Sequence, residues 1–218
     1  MSNKQLAIDL LILDFDGTIA DSIPPAIAAI QAMVAELGLP YKSVEEINQG
    51  VGYGEAPLVL EAIGNNDPTL LKAAMASYFK HYAQKGIGIT QLFPHTKEFL
   101  EHFKDKIKIV VSNKRDEFIK LILARHHLSD YFEEIIGGET LPYLKPDPRT
   151  IFHLLKKYNV PAHKAIMIGD MVIDVDTGKN SGIHTCAVTY GFHDRAKLAQ
   201  HKPDLLVDDL IELQSLIV

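Results

Sequence analysis

Short, dense apolar runs punctuate the chain at residues 6–13, 107–111, 134–136, 165–168, 183–188 and 205–207. Runs with so few polar positions suit strands covered on both faces, as in a parallel sheet. Between them, apolar residues recur at helical spacing over 97–103, 118–126 and 150–157. Strands alternating with helices predict an α/β fold with a doubly wound, mostly parallel, Rossmann-like sheet.

That alternation breaks between about residues 22 and 82, where no buried-strand run occurs. Residues 25–37 read as a helix stopped by Gly38, with Pro40 just beyond, and 69–83 as another ending near Gly86. Shorter helices fit between them. The expectation is an all-helical cap domain over 21–86, placed directly after the first strand and inserted into a core of 1–20 and 87–218. A length of 218 residues suits one sizeable domain, or one domain carrying a smaller insert. No internal repeat and no low-complexity tract is visible.

Composition narrows the function classes. An apolar share of 47% with 23% charged residues is ordinary for a globular chain. A net charge of −6 without any basic run argues against nucleic-acid binding by phosphate neutralisation. The first apolar run is interrupted by Asp9 and is far shorter than the ~20 residues that span a bilayer. It also lacks a cleavage site after a basic start, so a soluble, cytoplasmic protein with no membrane partner is expected. Cys186 is the single cysteine, which leaves no intrachain disulfide and no thiolate zinc site. The ten histidines are scattered without a His-Glu-x-x-His spacing, so zinc is not expected.

The chemistry-bearing residues gather just after predicted strands. The first strand runs into Asp14-Phe15-Asp16-Gly17-Thr18. Two carboxylates at i and i+2 are electrostatically costly without a cation or a shared proton. Alone, the segment equally describes an Asx-type turn leaving a strand. Strand 107–111 runs into Ser112-Asn113-Lys114, which is either a phosphate cradle or a plain helix cap, the cap being the better reading in isolation. Lys145-Pro146-Asp147-Pro148 fixes a cation on a stiff loop, or is only a turn into a helix. Strand 165–168 ends in Gly169-Asp170, with Asp174 four residues on, a pair suited to a hard oxygen-ligand cation or, for Asp170, to helix capping. Taken together, carboxylates, a hydroxyl, a lysine and free amides at one sheet edge make the inventory of metal-assisted phosphoryl transfer.

As an ordered set, these motifs resemble those of the haloacid dehalogenase-like (HAD) hydrolase superfamily, in its phosphoglycolate-phosphatase-like branch with a helical cap. Asp14 to Thr18, Ser112, Lys145-Pro146, and Gly169-Asp170 with Asp174 match its four motifs, and the likeness runs from Ile8 to about Leu210. The resemblance implies a Mg2+-dependent phosphatase acting on a small phosphomonoester, phosphoglycolate-like or a sugar phosphate, through an aspartyl-phosphate. Asp14 would be the nucleophile, and Asp16 the acid and then the base. The Asp14 carboxylate, the Asp16 backbone carbonyl and Asp170 would hold Mg2+, with Asp174 nearby. Ser112, the Asn113 amide and Lys145 would bind phosphoryl oxygens, with Thr18 steadying the first loop and counted in that phosphate-binding set. Gly50-Val51-Gly52-Tyr53-Gly54 resembles the cap's substrate loop, with Gly50, Gly52 and Tyr53 as its candidate contacts; a flexible interhelix turn describes it equally well.

Other readings compete. A signalling receiver would place its phosphorylated Asp and acidic pair on different strands, whereas here both follow the first strand. A silent phospho-ligand binding module would have lost one of Asp14, Asp16, Lys145 or Asp170, and all four are present. A phosphosugar mutase would share the aspartyl-phosphate and differ in the cap. A phosphonate hydrolase would need a cap lysine over the site, and nothing marks Lys42, Lys72 or Lys80 as buried. No arginine occurs between Ala20 and Thr90, so a clamp on a substrate carboxylate would have to come from Lys, His or amides. The Lys114-Arg115 pair reads as a cationic rim or a solvated face. The expected partner is a small phosphorylated metabolite, and the expected state a monomer or homodimer.

Overall fold

The computed structural model describes residues 5–218, so the first four residues of the expected core segment lie outside the described residues. The strands are β1 (Leu10–Leu13), β2 (Ala20–Asp21), β3 (Gln91–Leu92), β4 (Ile107–Val111), β5 (Glu134–Ile136), β6 (Ala165–Gly169), β7 (His184–Val188) and β8 (Leu205–Val207). The helices are α1 (Ile23–Glu36), α2 (Val44–Ile47), α3 (Glu55–Ile63), α4 (Pro68–His81), α5 (Ile87–Ile89), α6 (Thr96–His102), α7 (Asp116–Arg125), α8 (Arg149–Tyr158), α9 (Val172–Ser181), α10 (Arg195–Gln200) and α11 (Leu213–Leu216).

Six strands form one parallel sheet in the order β5-β4-β1-β6-β7-β8. Strand β1 sits inside it, with Leu10 paired to Ile107 on one side and Ala165 on the other. All four of its residues are buried, which is why its sequence shows no polar alternation. Chain order reverses beside β1, between β4 and β6. In a doubly wound sheet that reversal opens a crevice beyond the strands' carboxyl ends.

The insert folds as helices for local reasons. Pro24 and Pro25 lie in the first turn of α1, and Gly38 (φ 63°) follows its end. Ser43 and Glu46 cap α2 reciprocally, and the Asp67 carboxylate caps α4 by accepting from the Thr69 N–H at 2.8 Å. Glu36 of α1 accepts from Ser77 at 2.8 Å and from Lys80 at 2.6 Å, fastening α1 to α4. Lys80, then Ser77 and His81, hold the Glu36 carboxyl down to about 2.

Several boundaries differ from the sequence expectation. Only Leu10–Leu13 of run 6–13 enters the sheet; Leu6 instead bridges Ile217. The helix expected over 69–83 leaves α-geometry after His81 and continues as a π-helical turn, Tyr82–Gly86. The insert does not begin directly after the first strand either. β2 and β3 pair antiparallel at its two ends and form a short ribbon. Each has two residues, too few to carry a period. No helix among the described residues is long and apolar enough to cross a membrane.

Candidate active site

Asp14 follows the last residue of β1 and is 4% exposed. Its Oδ1 accepts from the Phe15 N–H at 2.7 Å. The chain then turns tightly, with the Phe15 carbonyl accepting from the amides of both Ile19 and Ala20 at 3.0 Å. Gly17 sits in that turn at φ +79°, and a Cβ there would lie 2.1 Å from Asp170 Oδ2. Only glycine meets both demands.

Asp170 follows β6 and is fully buried. Its two oxygens are fixed separately, by the Thr18 hydroxyl at 2.9 Å and the Phe192 N–H at 2.7 Å. Asp174 lies in the first turn of α9, where its Oδ2 accepts from the Met171 N–H at 3.0 Å. Gly169 keeps that space clear, since a Cβ there would fall 2.2 Å from Asp174 Cγ. One oxygen from each of Asp14, Asp170 and Asp174 lies within 4.8 Å of the others.

Lys145 enters this cluster from the loop before α8. Its Nζ lies 2.8 Å from Asp14 Oδ1 and 2.6 Å from Asp174 Oδ1, and its side chain is 2% exposed. Burial pushes the Asp14 carboxyl up to about 7, with Lys145 opposing and Asp174 adding to the rise. Burial, then the charges of Asp14 and Asp174, raises Asp170 well above the usual carboxylate range. For Lys145, burial disfavours the charge, but the two carboxylates outweigh it and hold the ammonium above its ordinary value. The group is costly unless it is neutralised further.

Asn113 holds the parts together. Its Oδ1 accepts from the Lys145 N–H at 2.8 Å, and its Nδ2 donates to the carbonyls of Lys145 at 3.2 Å and Gly52 at 3.0 Å. One side chain thus ties the β4 loop, the lysine loop and the insert's glycine loop. A second tie runs from the Arg115 N–H to Glu55 Oε1 at 2.7 Å. Between sheet edge and insert lies a cleft, with Asp14, Asp16, Ser112 and Lys145 on the sheet side and Gly50 and Gly52 on the other.

Most expected residues converge here, with differences. The Asp16 carboxylate stands outside the three-carboxylate cluster: its Oδ1 takes the Ser22 hydroxyl and lies 3.1 Å from Lys114 Nζ. Thr18 does not face the cleft as a phosphate contact. It is 0% exposed and its hydroxyl is committed to Asp170. Tyr53 is 51% exposed and outside the cleft lining, because the glycine loop turns it outward. Lys114, read from sequence as a rim or a solvated charge, is 5% exposed and lines the cleft, its ammonium 4.4 Å from the Tyr82 ring centroid. Glu55 and the Phe192 amide were not legible at all. Gly191, where a Cβ would lie 2.3 Å from Asp170 Cβ, carries one signal, being a glycine soon after a strand.

Sheet order, inserted helices and an acidic cluster at the switch point define a capped, doubly wound α/β protein with its site on the strand carboxyl ends. The model of the family described as haloacid dehalogenase-like hydrolase matches residues 11–188. The chain belongs to this family of hydrolases, and its curated relatives place it among the family's phosphatases. A phosphoglycolate phosphatase of Pseudomonas savastanoi is 33% identical over 213 residues, covering 94% of this chain and 78% of that protein. A phosphoglycolate phosphatase of Vibrio cholerae is 32% identical over 222 residues, covering 97% and 98%. A crystal structure of a predicted phosphoglycolate phosphatase from Haemophilus somnus superposes with a TM-score of 0.89 at 26% identity, covering 94% of this chain and 96% of that one.

Proposed function

We propose that the chain is a Mg2+-dependent phosphatase of a small phosphomonoester, working through a phosphorylated Asp14. The observation that carries this is the Asp14–Lys145 pair at 2.8 Å, joined by Asp170 and Asp174 at the floor of a covered cleft. The three carboxylate oxygens suit a hard divalent ion. The raised carboxyls of Asp14 and Asp170 are the electrostatic signature of a site short of positive charge. Asp14, Asp170 and the Asp16 carbonyl would hold Mg2+, with Asp174 beside them; the ion would neutralise phosphoryl charge and bring the anionic ester up to the carboxylate.

The residues then divide the work. Among the described residues, both polar contacts of Asp14 fall on Oδ1, which leaves Oδ2 to attack phosphorus. As the bond from phosphorus to the ester oxygen breaks, Asp16 gives that oxygen its proton. Asp16 then takes a proton from water, whose oxygen displaces Asp14 and releases phosphate. Lys145, the Ser112 hydroxyl and the Asn113 amide would offset charge on the transferring oxygens. The insert, bounded near residues 21 and 86, acts as the cap that excludes water between turnovers. The relatives act on phosphoglycolate by name, and a two-carbon ester of that kind fits the reading. The test is phosphate release from a panel of phosphomonoesters with and without Mg2+. Asp14→Asn should abolish release and leave the circular-dichroism spectrum unchanged. A fully active Asp14→Asn protein removes the nucleophile from the reading.

A further inference from the structure

Lys114 is the cation the proposed chemistry does not use. Two lysines line the cleft, and the ammonium of Lys145 is committed to Asp14 and Asp174. Lys114 lies on the loop from β4 to α7 with its side chain 4% exposed. Among the described residues its ion pair is with Asp16 Oδ1 at 3.1 Å; the face of Tyr82 lies against it, and Tyr78 and Glu55 stand within electrostatic reach. An ammonium has three N–H donors, so a carboxylate and a ring face leave capacity for one more acceptor. A buried cation with spare capacity, opening onto a ligand cleft, is an anion-binding point.

We propose that Lys114 receives a carboxylate of the substrate and so selects phosphomonoesters that carry one a few bonds from the ester oxygen. The proposal rests on the phosphatase reading above, which assigns the phosphoryl group to Asp14 and the leaving oxygen to Asp16. Lys114 touches Asp16, so the charge it binds lies one short step beyond the leaving oxygen. Much of the insert's share of the lining is aliphatic, with Ile23, Ala26, Ile27 and Leu58 in it. A sugar's ring hydroxyls would meet carbon along it. The one cap carboxylate in the lining, Glu55, is engaged by the Arg115 amide, and burial raises its pKa toward the neutral form. The insert lacks arginine, and both lysines of the lining belong to the core.

The test compares 2-phosphoglycolate with ethyl phosphate, which has a methyl in place of the carboxylate. With Mg2+, wild-type protein should favour 2-phosphoglycolate in kcat/KM, and Lys114→Met should cut that preference by about 10- to 100-fold, the worth of a charge-assisted hydrogen bond. The change should fall mainly on KM, as expected for binding felt equally in ground and transition states. Lys114→Arg should restore part of it. Thermal shift reads binding without turnover: 2-phosphoglycolate should raise the wild-type Tm more than ethyl phosphate, and Lys114→Met should remove that difference. If Lys114→Met does not fold, Lys114→Gln, which keeps a donor, carries the same comparison. Equal losses on both esters, an intact preference in Lys114→Met, or no wild-type preference overturns the proposal. A preferred bisphosphate would reassign the second anion and overturn it too. Protein that binds 2-phosphoglycolate preferentially through Lys114 but hydrolyses no ester refutes the phosphatase reading alone. Protein that hydrolyses both esters without preference refutes the Lys114 proposal alone.

Discussion

Replacing Lys145 by methionine keeps the length of the side chain and removes one charge from between Asp14 and Asp174. Both carboxylates are buried and both lose an ammonium within 2.8 Å. Removing one partner of a buried ion pair costs about 3–5 kcal/mol when the other stays charged. Asp14 limits that cost by taking up a proton, and this fixes the pH dependence. In the wild type its folded carboxyl titrates at about 7 against 3.8 for the ordinary group. A carboxyl raised in the fold binds protons more tightly there than in the unfolded chain, so stability falls as pH rises between the two values. That fall ends near pH 7 in the wild type. Without Lys145 the folded value moves higher, and the fall continues. Metal-free Lys145→Met protein should therefore lose a further ~1.4 kcal/mol per pH unit relative to wild type between pH 7 and 8. The assay is denaturant unfolding in EDTA at pH 6, 7 and 8. Turnover with Mg2+ should drop about 10²–10³-fold, as for a lost charge-stabilising donor. A stability gap that is flat from pH 6 to 8, or narrows, would refute this account of the cluster.

Gly17→Ala puts a Cβ on a φ +79° residue and 2.1 Å from Asp170 Oδ2, which hydrogen bonds to Thr18 and Phe192 hold in place. A loss of about 2–4 kcal/mol in denaturant unfolding, with weaker Mg2+ response, is expected. Asn113→Ala cuts the tie to the Gly52 carbonyl. Limited proteolysis should then cleave within 50–54 faster than in wild type, and kcat/KM should fall. Mg2+ binding should release protons near pH 7, because burial holds Asp14 partly protonated there. Calorimetry in two buffers of different ionisation enthalpy reads this, and the Mg2+-induced rise in Tm should be larger at pH 8 than at pH 6.

The sheet was readable because burial on both faces leaves a local mark. Runs such as Leu10–Leu13 and Ala165–Gly169 are wholly buried and carry no polar side chain, and their ends, with that of Ile107–Val111, place Asp14, Asp170 and Ser112 along one edge. Lys145 follows the same logic through its loop. Residues whose role depends on distant partners left no such mark. The β2–β3 ribbon is two residues wide on each side and exists because the insert's ends meet. The Thr18 hydroxyl is drawn from the cleft by Asp170, on another strand. Gly17 was legible as a turn, but its second requirement, room for the Asp170 carboxylate, was not.

Lys114 shows the limit in physical terms. A Lys-Arg pair after a strand ordinarily belongs to solvent, since burying an ammonium is expensive. Here Arg115 follows that rule in part, reaching Glu117 and Glu139 at the surface. Lys114 does not, because Asp16 comes to it from the end of β1 and Tyr82 from the far end of the insert. These partners outweigh the burial that alone would depress its pKa, and hold the ammonium well above its ordinary value. The cation is therefore a property of the closed molecule. It is assembled only when the insert packs on the sheet edge, and the same packing covers the nucleophile. An insert that folds away from the core would lose the covered cleft and the buried charge together, so substrate selection and water exclusion depend on one interface.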